Sequence, residues 1–102
     1  MKHSIEKFHE ISSKAFDETS HYKFNKNIDV TDKYRKGRIA SSEWVSKVVY
    51  IFMQKEKNLL TEFQEELNIQ REKFKNIKEG DYKKGLLDEL EVIEEILNRD
   101  IL

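Results

Sequence analysis

The chain has 102 residues, 38% of them charged, a net charge of -1, and neither Cys nor Pro. That length suits one domain, residues 1–102, folding with little margin, and the missing Cys excludes a disulfide framework, a thiolate zinc site and a Cys nucleophile while fitting a reducing cytoplasm. With only three Gly among many Glu, Lys and Leu, the expected class is all-α.

The opening MKHSIEKFHEISSK lacks the apolar core of a signal sequence. The longest apolar run, Val48 to Met53, is far short of the roughly 20 residues that cross a bilayer. A cytoplasmic protein with no membrane partner is expected. Ile5, Phe8, Ile11 and Ala15 recur at helical spacing and predict a first helix over 4–16. Residues 17–31, DETSHYKFNKNIDVT, are polar and aperiodic; they read as a loop ending in Asp29, Thr31 or Asp32 as a helix cap.

From 32 to 78 the pattern predicts one long helix. Val45, Val49, Phe52, Leu59, Phe63, Leu67, Phe74 and Ile77 follow steps of three or four once Glu56 and Gln70 are counted. Such a rod runs roughly 65 Å, too long for a monomer of this size to wrap. Gly80 breaks it, Asp81 is the expected cap, and Leu86, Leu90, Ile93, Leu97 and Ile101 predict a last helix over 81–101. A short connection folds that helix back antiparallel on the second half of the rod.

YRKGRIASSEWVSKVV, from Tyr34, aligns with YKKGLLDELEVIEEIL, from Tyr82, at an offset of 48 residues, matching Tyr with Tyr, Gly37 with Gly85, Val45 with Ile93 and Val49 with Leu97. Gly inside a helix costs about 1 kcal/mol relative to Ala. A close helix approach, or a turn ahead of the main helix, has to offset that cost at both positions. Tyr34 and Tyr82 are then packing residues with their hydroxyls at the rim.

The last helix is too short to reach Trp44 or Val48 to Met53, which predicts a homodimer. Residues 31–57 carry seven basic and three acidic groups, and 58–102 carry seven basic and twelve acidic. An antiparallel pairing sets these unlike halves together, with Tyr34, Gly37, Trp44, Val48, Val49, Ile51, Phe52, Tyr82 and Gly85 as interface candidates. A parallel zipper fits the irregular stripe less well.

Candidate chemistry is sparse. EKFH (Glu6, His9) and ETSH (Glu18, His21) have the Glu-x-x-His spacing of di-iron bundles, but such sites need two further Glu, and the second pair falls in the expected loop. Solvated His, no metal and no cofactor are expected. No phosphate loop, nucleophile elbow or zincin motif occurs, so no catalytic residue is assigned. Lys33, Arg35, Lys36 and Arg38 form the one anion- or nucleic-acid-binding candidate. The expected function is a non-enzymatic homodimeric interaction or adaptor module with another protein as partner; the alternative is a small DNA- or RNA-binding regulator using the basic block.

Overall fold

The computed structural model describes residues 2–25, 27–55 and 60–99, with residues 2–4 described by backbone alone. Among them are four helices and no strand: α1 (Lys2–Phe24), α2 (Asp32–Gln54), α3 (Leu60–Lys75) and α4 (Asp81–Asn98). They form an all-α bundle of 40 × 28 × 27 Å. No helix among the described residues is long and apolar enough to cross a membrane.

The expected three-helix arrangement is corrected at two places. The long helix over 32–78 is interrupted: α2 ends at Gln54, Lys55 is extended (φ -86°, ψ 146°), and its N–H is donated to the Phe52 carbonyl at 3.1 Å. The cause is aromatic burial. In a continuous helix Phe52 and Phe63, eleven positions apart, would stand roughly 16 Å apart along the axis. Here their ring centroids are 5.5 Å apart, and Phe8 of α1 lies 5.5 Å from Phe63 and 6.0 Å from Phe52. Closing that triangle buries three Phe and excludes the 65 Å rod. Glu56 and Leu59 of the expected stripe, and Ile101 of the last helix, lie outside the described residues.

The second correction is α1, which continues to Phe24 instead of ending at residue 16. Beyond Ala15 the helix is held by polar groups. The Thr19 and Ser42 hydroxyls are 2.6 Å apart, Thr19 donates to the Ala15 carbonyl at 3.0 Å, and Glu18 and Tyr22 face Arg38. Ser42 is fully buried, so this seam substitutes hydrogen bonds for apolar contacts.

Helix α4 is the centre of the packing. It lies along α2, with α1 and α3 also against it, while α1 covers another side of α2. The last helix thus folds back on α2, the first part of the expected rod, more than on α3. At the α2–α4 crossing Gly37 and Gly85 meet. A Cβ on Gly37 would sit 2.2 Å from the Tyr82 carbonyl oxygen, and one on Gly85 would sit 2.3 Å from that of Tyr34. The 48-residue repeat is therefore an internal near-two-fold contact in which each Tyr-x-x-Gly turn receives the other.

Thr31 caps α2, accepting from the Tyr34 N–H at 3.2 Å and donating to Asp81 Oδ2 at 2.6 Å. Gly80 (φ 146°), not Asp81, occupies the cap position of α4. One hydroxyl thus serves the start of α2 and ties it to the start of α4. Thr31→Ala is expected to cost about 1 kcal/mol in urea unfolding, the usual loss for an N-cap.

Candidate functional site

The residues expected to form one basic surface separate. On a helix of 3.6 residues per turn, Lys33 and Lys36 share the outer face of α2 and are exposed. Arg35 is half-buried, with Nε buried and unpartnered among the described residues. Arg38, on the inner face, is only 8% exposed. The block is not a continuous cationic patch.

Arg38 instead organises a network across three helices. Its Nε donates to Glu89 Oε1 on α4 at 2.8 Å, one terminal nitrogen donates to Glu18 on α1, and the other donates to the Tyr34 hydroxyl at 2.7 Å. That hydroxyl donates onward to Asp88 Oδ2 at 2.7 Å, which also receives Lys84 at 3.0 Å. The Tyr22 ring covers the guanidinium at 4.8 Å. Arg is suited to this task because its planar fork serves several acceptors at once.

The two carboxyls around Arg38 titrate apart. Glu89 has no exposed surface: burial pushes its carboxyl up, the hydrogen bond from Arg38 pulls it down, and neighbouring Glu18 raises it again, leaving it at about 8. For Glu18, burial raises the carboxyl, but the contact with Glu89 and the charge and hydrogen bond of Arg38 outweigh it, so the net direction is down. At neutral pH Glu18 is thus the anion and Glu89 the acid. Glu89 Oε1 accepts from Arg38, and Oε2 is buried with no partner among the described residues. Burial works against the charge on Arg38, but its hydrogen bonds to Glu89 and Tyr34 hold it protonated, above its ordinary value. One cation then faces one partly buried anion.

The other expected site residues take internal places. Val49 and Phe52 are in the core, Trp44 and Val48 pack against it, Gly37 and Gly85 face each other, and Tyr34 serves the Arg38 network. They were expected to meet a second chain, and they meet α1, α3 and α4 because the break after Gln54 folds the chain onto itself. Of the expected interface set, Ile51 is 54% exposed and Tyr82 borders on exposure. His9 and His21 are exposed, and Glu18 of the second Glu-x-x-His pair is held by Arg38. No group of three metal-ligating side chains occurs among the described residues.

What sequence reasoning missed is the open side between α2 and α3, which are less closely packed than the other neighbouring helices. A groove of about 430 Å³ runs there, with Val48, Ile51, Phe52 and Ile69 on its apolar side and Lys55, Glu62, Glu65 and Glu66 on its polar side. Ile51 and Ile69 are both about half exposed, at 54% and 50%. Ile69 departs from the buried stripe of Phe63, Leu67 and Phe74, and that was its visible signal. No family model, curated protein or solved structure matches this chain.

Proposed function

We propose that the protein is a non-enzymatic interaction module whose α2–α3 side binds protein. The observation that carries this reading is the apolar groove of Val48, Ile51 and Ile69 with its rim of Glu side chains. An apolar strip bordered by charged side chains, Lys55 on one helix and Glu62, Glu65 and Glu66 on the other, suits a protein face that supplies apolar anchors and complementary charge. The titrating groups support the same reading. Glu18 and Glu89 are pushed apart as in acid–base pairs, yet Glu89 has no surface and Arg38 is wedged against both.

The nucleic-acid alternative is weakened by Arg38, which is committed to the Glu18 and Glu89 side chains and leaves Lys33 and Lys36 as the exposed cations of the block. Two phosphate contacts supply little salt-dependent affinity.

Ile69→Asp should leave the melting temperature unchanged and abolish crosslinking capture of a defined protein from the native host. Phe16→Asp, on an exposed residue of α1, should not. Equal capture by wild type and both variants would overturn this reading.

A further inference from the structure

We infer that a second copy of this chain occupies the α2–α3 groove, docked about a two-fold axis near Ile51 and Ile69 so that Lys47 and Lys55 of each copy lie against Glu62, Glu65 and Glu66 of the other. The inference rests on the α2–α3 side being the interaction face and names its occupant.

Three features carry it. First, this face carries both signs of charge, segregated by helix: Lys55 lines the groove on the α2 side and exposed Lys47 lies one turn before Ile51, while Glu62, Glu65 and Glu66 precede Ile69 on α3. A two-fold operation sets α2 of one copy antiparallel to α2 of the other, carrying each α3 over the partner's lysines. The complementarity expected between the two halves of the chain thus reappears on one exposed face.

Second, these five charges have no ion pair among the described residues; Lys55 Nζ lies 5.1 Å from the Phe52 ring centroid, at the edge of the groove.

Third, the apolar centre is self-complementary. Ile51, with Tyr50 beside it at 65% exposure, would meet Ile69 of the other copy, and the two-fold axis repeats that contact. A standard interface needs about 800 Å² from each partner, roughly an eighth of the 6842 Å² surface.

Sedimentation equilibrium at tens of micromolar should show a dimer, and Ile51→Asp should make it monomeric while keeping the helical circular dichroism of wild type. Lys47→Glu with Lys55→Glu should weaken association about tenfold, as should Glu62→Lys with Glu65→Lys in a separate chain. Mixing these two reversed chains restores both sets of contacts and should recover wild-type affinity as a heterodimer. A monomeric wild type, a dimer indifferent to Ile51→Asp, or a mixture that stays monomeric would overturn the inference. If Ile69→Asp still abolishes capture of a host protein while the purified chain is monomeric, the groove takes another protein and only the second copy is wrong.

Discussion

Gly37→Ala is expected to destabilise the protein by about 3 kcal/mol or more and to lower its melting temperature by more than roughly 10 °C. The sign is the informative part, because local helix propensity favours Ala over Gly by about 1 kcal/mol. What opposes it is backbone. The added Cβ would meet the Tyr82 carbonyl oxygen at 2.2 Å and the Leu86 nitrogen at 2.9 Å, neither of which can rotate away like a side chain. The α2–α4 crossing must widen, and widening it pulls Ser41 from the Leu86 carbonyl, now 3.0 Å away, and Arg38 from Glu89. Gly85→Ala should act alike, its Cβ meeting the Tyr34 carbonyl oxygen at 2.3 Å. Because the first Ala already forces the helices apart, the double variant should cost less than the sum of the two. Thermal unfolding checks both statements. A Gly37→Ala protein as stable as wild type would mean that the helices do not cross at this distance.

The same crossing shows how much of the fold was legible. Tyr34, Gly37, Tyr82 and Gly85 stood out as a repeat, and the cost of Gly in a helix required a close approach at both. Which helix made that approach was not legible, because the repeat fits a contact within one chain as well as one between two. The deciding element was the end of α2 at Gln54 ahead of a separate α3 from Leu60, in a stretch where no Pro or Gly marks a break. It is imposed by the contact of Phe8, Phe52 and Phe63, and long-range burial leaves no local signal. The second half of α1 was hidden for the opposite reason: Glu18, Thr19 and Tyr22 bind α2 through polar groups, so a search for apolar periodicity read them as loop. Arg38 looked like its exposed neighbours in the basic block, and only its position on the inner face of α2, below Tyr34, sets it apart.

Arg38→Met should cost about 3 to 5 kcal/mol in urea unfolding, because it strips the cation from Glu18 and Glu89 while leaving both carboxyls in place. Glu89→Gln tests which of them holds the proton. Folding raises the Glu89 carboxyl from 4.5 to about 8, so between those pH values the folded chain binds more protons than the unfolded one. The stability contributed by this group is therefore full below the window and is lost as pH rises through it. Glu18, Asp88 and Glu94 act in the opposite sense: burial raises each, but their hydrogen bonds and cationic neighbours lower them overall, so their contribution fades as pH falls below the usual carboxylate range. Only Glu89 among these four makes the protein weaker toward alkaline pH. Gln is uncharged at every pH and keeps an oxygen for Arg38. Glu89→Gln should match wild type below about pH 4.5, and between pH 6 and pH 8 alone wild type should lose on the order of 2 kcal/mol relative to it. Parallel stability curves for the two proteins would show that Glu89 is ionised throughout, and the charge balance around Arg38 would then be one cation to two anions.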